Sequence, residues 1–599
     1  MLTKSKKILL RIFISILRVY AKFDNFIFSQ EFINSIIFVI LLIFAGLIRY
    51  FALDYSGSDY ELFLSPWYDY IIEHGGWKAL SYNFANYTPP YLYFLVILTY
   101  LPIPKLIGIK LVSIFFDFIL AYFVFFIVSF WTEIKRKQQN YNQIVQKNIP
   151  NNTNLLQIQP KIQNETKNLQ TRQELTKLSN SDFSPNLQQI LAKHSPIIAF
   201  FAVLFSPTVI FNGAFWAQCD VIYTTFLVVS FLAILKKKYF LAVFWFAISL
   251  SFKLQAMFFL PVFIVLLMLR KINFLHFLIL PIVYILAILP SFLIGRNFVE
   301  LLRIYIDQGI SYNNLTMNSP NFYHWFGEGN YEILAKMGLS IAGITFVGVC
   351  YLFYHLGRQI YPSNLPNFQF QKLSQKTHLF NFESEFETPK QFIKTNKLQQ
   401  ISESSLDLQT NQNLPNHSPD KTQKNEQKPN HLDLISKQIS QNNSLDSKLP
   451  KQNKFTIQFT KIFTLLNLNK KYQQEKQLEN PYIETKMEKL ESKIDWNLEV
   501  KKIDFWMNLS LISVLILPYF LPKMHERYFF VADIFAILYV FWRPRRFWIA
   551  ILINLCSFFA YGPFLLGTKP FDFSYLSMAL LVTIIYLLVT NIKENLNEI

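Results

Sequence analysis

Cysteine is nearly absent from this chain: 599 residues contain three, Cys219, Cys350 and Cys556. Each lies in or beside an apolar run, with no CxxC pair and no even set from which a disulfide framework could be built. They read as small buried hydrophobes, so neither a disulfide scaffold nor a thiolate metal site is expected. A Gly-rich phosphate loop, HExxH and GxSxG are also missing, which leaves nucleotide-driven, zinc and serine-nucleophile chemistry without support. No metal and no cofactor are expected, and no tandem repeat is evident. Acids are scarce as well, 39 Asp and Glu against 57 Lys and Arg, giving a net charge of +18. In a soluble protein that excess would point to nucleic acid. Here the basic residues fall in short clusters beside apolar runs, where they report orientation in a membrane, and no nucleic-acid partner is expected.

What the chain has in abundance is apolar surface, with 52% hydrophobic and 17% aromatic residues including 62 Phe. The apolar residues gather into segments near the length of about 20 that a helix needs to cross hydrocarbon. Such runs lie near 33–53, 90–103, 106–130, 196–212, 219–234, 239–254, 256–270, 274–294, 336–356, 506–521, 529–542, 546–562 and 574–591. The expectation is an all-α, multi-pass integral membrane protein of the plasma or inner membrane, with about twelve transmembrane helices (11–13). Residues 8–19, apolar with interspersed bases, read as an interfacial helix rather than a span or a cleaved signal.

Two polar inserts, 132–194 and 357–504, are dominated by Asn, Gln, Lys and Ser and are expected to be largely disordered, with some helix towards 469–502. The chain therefore divides into an N-terminal membrane segment 1–131 with an outward loop 54–88, a central block 195–356 and a C-terminal block 505–599.

Placing the clusters Lys135-Arg136-Lys137, Lys236-Lys237-Lys238, Arg270-Lys271, Arg358 and Arg543 with Arg545-Arg546 on the cytoplasmic side gathers the remaining polar segments on the outer face. This parity requires residues 90–131 to cross once, with a half-span at Leu101-Pro102-Ile103-Pro104-Lys105. Two full crossings are the alternative. On the outer face lie Asp59-Tyr60-Glu61, Trp216-Ala217-Gln218-Cys219-Asp220, Lys253 with Gln255, Asn318 to Asn321, and His525-Glu526-Arg527-Tyr528. Asp59 and Glu61 point about 200° apart if their segment is helical, so one of the two is expected at a site. Asp59 follows the first apolar helix and precedes an aromatic loop, which favours it as a base for a hydroxyl proton. Lys253 between two apolar runs reads either as a phosphate ligand or as a snorkelling lysine. Arg527 offers a fork of donors for phosphate oxygens and His525 a further donor. Trp216, Gln218 and Asp220 read as substrate-binding or, for Asp220, as a helix N-cap. Gln255, Asn321, Glu526 and Tyr528 complete the expected binding set. Lys110 and Asp117 share one face within an apolar run, and Asp117 is expected to pair with a buried base.

Asp59 after the first helix, Tyr87-Thr88-Pro89-Pro90, Trp216 to Asp220, and Met524 to Tyr528 together resemble the GT-C superfamily of multi-span glycosyltransferases, most closely its mannosyltransferase-like, polyprenyl-phosphate-sugar-dependent members. The resemblance covers the hydrophobic chain and neither insert. It implies a sugar transferred from a polyprenyl-phosphate donor, by inversion and without a metal, to a glycan, lipid or protein acceptor at the outer face. It also implies Asp59 as base, with Glu61 or Asp69 as a second acid, and Lys253, His525 and Arg527 on the departing phosphate. A transporter or flippase of a lipid-linked saccharide and a glycan polymerase or ligase are the competing readings.

Overall fold

The computed structural model describes residues 30–147, 185–310, 314–326, 330–361 and 494–596. The expected interfacial segment at 8–19 and most of both inserts lie outside the described residues. In chain order the helices are α1 (Gln30–Phe51), α2 (Ser65–Glu73), α3 (Pro89–Thr99), α4 (Lys105–Lys147), α5 (Pro185–Leu204), α6 (Asp220–Leu235), α7 (Tyr239–Phe252), α8 (Leu260–Met268), α9 (Ile279–Ile294), α10 (Phe298–Ile310), α11 (Tyr331–Ile360), α12 (Trp496–Phe520), α13 (Phe530–Trp542), α14 (Phe547–Ala560) and α15 (Phe573–Leu596), joined in places by short helical turns. Two short parallel strands, β1 (Thr316–Met317) and β2 (Met524–His525), complete the regular structure.

Six helices are long and apolar enough to cross a membrane: α1, α4, the stretch Phe274–Ile294 that ends in α9, α11, α12 and α15. A seventh forms if the pair Lys193–Leu204 and Pro207–Phe215, bent by 46°, crosses as one. The chain is thus a mostly helical, multi-pass membrane protein. Most of the remaining apolar runs fold close to their expected bounds into helices too short to meet that length, among them α6, α7, α13 and α14. The run at 90–103 gives α3, whose 11 residues rise about 16 Å, too little to cross alone.

The edges of both inserts are ordered, contrary to the expected boundaries. Helix α4 continues to Lys147 because its polar half finds partners. Lys135 donates to the Trp542 carbonyl (2.8 Å) and lies 4.3 Å from the Trp542 ring, and Gln138 donates to Asn497 (2.8 Å). Helix α12 begins at Trp496, inside the expected insert, where Asp495 accepts from the N–H groups of Asn497 and Leu498 (3.0 and 3.1 Å) as an N-cap.

Helix α12 is the centre of the bundle, with 89% of its apolar window buried, and α4, α8, α11, α13 and α15 pack around it. Between apolar helices in lipid the polar contacts fix register. Arg49 of α1 pairs with Asp117 of α4 at 2.9 Å, and its Nη1 donates to the carbonyls of Ala45 and Leu204, so one buried guanidinium ties α1, α4 and α5. The close approach of the turn Phe211–Phe215 to α4 needs Gly213, since a Cβ there would stand 3.3 Å from the Ser113 Cβ.

Two ends of the bundle differ in chemistry. One gathers the contacts of Lys135, Lys237, Lys271 and Arg543; the other gathers those of Asp59, Gln218, Asp220, Lys253 and Arg527.

Candidate functional site

The last carbonyls of a helix have no partner within it. In α1 Lys110 supplies one: its ammonium donates to the carbonyls of Ala52 (2.6 Å) and Tyr55 (2.5 Å). The chain leaving α1 is thereby held against α4, and four residues later Asp59 starts the π-turn Tyr60–Leu64. Asp59 Oδ2 accepts from Gln218 Nε2 (2.6 Å) and faces Arg527 Nη1 at 3.4 Å. Neither bond uses Oδ1.

Gln218 is set by backbone strain and by α4. Ala217 sits at φ +60°, a left-handed conformation costly for a residue with a Cβ, and Ser113 donates to the Gln218 carbonyl at 2.6 Å. Asp220, the first residue of α6, is fully buried; two side chains donate to it and a third cation stands beside it. Lys253 Nζ lies at 2.5 Å, Asn212 Nδ2 at 2.9 Å and Arg527 Nε at 3.5 Å.

Strand pairing delivers Arg527. Thr316 pairs with Met524 and Met317 with His525, while the Glu526 N–H donates to the Met317 carbonyl (3.0 Å). Glu526 Oε1 then accepts from Arg527 at 3.1 Å, and the guanidinium lies 5.5 Å from the Trp216 ring. Burial works against the Arg527 charge, but Tyr87, Glu526, Asp220 and Asp59 outweigh it, holding the guanidinium firmly protonated. Burial raises the Glu526 carboxyl to about 7 despite the opposing pull of Arg527. Burial, then Arg527 and Lys253, lower His525 to about 2, so its imidazole is neutral at physiological pH.

Four of these groups, Asp59, Gln218, His525 and Arg527, form the polar wall of a cavity of about 470 Å³ with Leu62, Phe63, Trp67, Tyr87 and Phe564 on its apolar side. Leu62 and Phe63 are also exposed on the outer surface, so the apolar wall continues to the surface of the molecule.

Of the residues singled out from sequence, Asp59, Gln218, Asp220, Trp216, Lys253, His525, Glu526 and Arg527 come together. Lys253 does not border the cavity: it neutralises Asp220 from behind, with the rings of Tyr87 and Tyr223 at 5.7 and 5.8 Å from its ammonium. Glu61 is exposed on the π-turn and does not line the cavity. Asp69 belongs to a separate ion pair with Lys105 (2.8 Å). Asn321 caps the turn Phe322–Trp325, and its carbonyl accepts from Ser577. Gln255 and Tyr528 lie outside the cavity lining. Asn318, within the outer-face segment singled out from sequence, lines the cavity, whereas Asn212, Trp67, Asn86 and Tyr91 were not legible as site residues, since a polar residue inside an apolar run or an aromatic beside one carries no distinctive pattern. Among the described residues no cluster of His, Cys, Asp and Glu could hold a metal ion.

No family model matches the chain, and no curated protein or solved structure matches it either.

Proposed function

We propose that the chain is a GT-C-like membrane glycosyltransferase that moves a sugar from a polyprenyl-phosphate donor to a hydroxyl acceptor at the outer face of the membrane. The observation that carries this reading is the meeting of Asp59 and Arg527, 468 residues apart, across one cavity at one end of the bundle. A carboxylate and a guanidinium side by side suit a displacement in which one end of the reacting system loses a proton and the other gains negative charge. The acceptor oxygen bonds to the anomeric carbon as the bond from that carbon to the phosphate oxygen breaks. The electron pair leaves with the polyprenyl phosphate, and the acceptor proton passes to Asp59. Arg527 binds the departing phosphate. Lys253 acts through Asp220, keeping that carboxylate from claiming Arg527 outright. Gln218 fixes Asp59, and the exposed Leu62 and Phe63 give the polyprenyl tail an apolar edge.

The proposed count of about twelve crossings is supported by the ends that the shorter helices join. Helix α6 runs from Asp220 to the turn of Lys237, α7 returns to Lys253, α8 leads to Lys271, and α13 runs from the Arg527 loop to Trp542. Transport is the weaker reading because Arg49 and Asp117, charged groups deep in the bundle, are paired with each other at 2.9 Å. Incubating the reconstituted protein with polyprenyl-phosphate sugars and a membrane extract as acceptor source tests the reading: transfer releases polyprenyl phosphate. Movement of intact donor across the vesicle without that release would replace transfer by transport.

A further inference from the structure

The end of the bundle opposite the cavity carries three ammonium groups against one carboxylate. Lys237 follows α6, Lys271 follows α8, and Lys502 projects from the first turns of α12. One carboxylate serves them: Glu499 accepts from Lys502 at 2.7 Å and from Lys237 at 2.9 Å, using both oxygens. Lys271 has no carboxylate partner among the described residues. Its ammonium rests on the Tyr361 ring at 4.3 Å, with Lys502 5.5 Å from the same ring. Tyr361 is itself held by the Trp506 N–H (2.9 Å).

The turns that present these bases are strained in the same way. Both α6 and α8 close with a left-handed residue, Lys237 at φ +60° and Arg270 at φ +55°, where glycine is the comfortable choice. In each, the following lysine N–H bonds back to the helix, Lys238 to Ala233 and Lys271 to Leu266. A long cation placed twice where glycine would be easier is a cost the fold carries. Burial, and then the neighbouring Lys502 and Lys237, push Lys271 below the ordinary lysine range, as expected of a cation waiting for an anion.

Apolar surface begins immediately beside this cluster. Phe274 and Leu275, three and four residues after Lys271, are 71% and 67% exposed and open the membrane span Phe274–Ile294. The cluster therefore sits at a boundary between hydrocarbon and water, the depth of a lipid phosphate. We propose that Lys237, Lys271 and Lys502, arranged around Tyr361, form a binding site for the phosphate headgroup of an anionic phospholipid in the leaflet opposite the cavity. Charge complementarity selects an anionic lipid over a zwitterionic one, whose own ammonium would meet three others.

The test uses the full-length protein in nanodiscs of phosphatidylcholine containing a minor fraction of phosphatidylglycerol, released into native mass spectrometry to count retained lipids. Phosphatidylglycerol is expected to be retained well above its share. Lys271→Gln should lower that retention about fivefold, the factor one ammonium near a membrane surface is worth, and Lys271→Arg should keep it. Glu499→Gln, which removes the internal competitor, should raise retention; a purely structural role would lower it in both neutral variants. Equal retention of the two lipids, wild-type retention by Lys271→Gln, or displacement of phosphatidylglycerol by millimolar inorganic phosphate would each overturn the assignment.

Discussion

Arg527 touches three carboxylates, and each contact defines a different property of the site. Asp59 at 3.4 Å sets it beside the proposed base, Asp220 at 3.5 Å anchors it to α6, and Glu526 at 3.1 Å links it to the strand pair. A lysine would keep the charge and lose the fork, so Arg527→Lys is expected to lower kcat by about 10²–10³-fold with a smaller change in donor KM, in steady-state transfer assays. The pH dependence separates the two neighbours. Glu526, raised to about 7, loses its proton across neutrality, whereas His525, lowered to about 2, does not titrate there. The rate profile of the native protein should therefore inflect near pH 7, Glu526→Gln should lose that inflection, and His525→Gln should retain it. Stability follows the same group: a carboxyl whose pKa is raised on folding stabilises fully below its ordinary value of about 4.5 and loses that contribution as pH rises through about 7. At this scale the sequence identified Asp59, Asp220 and Arg527 as polar residues flanking apolar runs. It could not show that Lys253 lies behind Asp220, or that Asp69 is taken by Lys105, because both depend on which helices are neighbours.

Among the elements, α4 carries most of the organisation. It holds α1 through Arg49 and Asp117, caps α1 through Lys110, and fixes Gln218 through Ser113. Asp117→Ala would leave a buried guanidinium uncompensated and is expected to cost about 3–5 kcal/mol of stability, measured by denaturant unfolding in detergent. The double change Arg49→Met with Asp117→Leu should recover most of that loss; recovery that fails, or a single variant as stable as the native protein, would remove the pair from its structural role. The helices themselves were legible from apolar runs and their basic ends, and Asp117 was legible as a buried partner because a lone charge in hydrocarbon demands one. Helix lengths were less so. Hydropathy fades where α4 passes Trp131, but Lys135 and Gln138 keep the helix going by bonding to Trp542 and Asn497, partners distant in sequence.

Across the whole molecule, opposite chemistries occupy opposite ends. The cavity end holds acids interleaved with two cations and an apolar rim; the other end holds exposed Lys237, half-buried Lys271 and Lys502, Tyr361 and one shared carboxylate. Clustering of basic residues beside apolar runs already separated the ends in the sequence, and the outer polar segments followed from it. What the pattern could not supply was closure, the strand pairing of Thr316–Met317 with Met524–His525 that brings Arg527 to Asp59. The central claim is that this encounter performs glycosyl transfer. Its most direct test is release of polyprenyl phosphate from a panel of polyprenyl-phosphate sugars by the reconstituted protein and by Asp59→Asn, with a membrane extract as acceptor source and donor binding measured in parallel. The account predicts that the native protein releases polyprenyl phosphate from at least one donor, and that Asp59→Asn binds this donor while transferring about 10²–10⁴-fold more slowly. Transfer by Asp59→Asn at the native rate would contradict it.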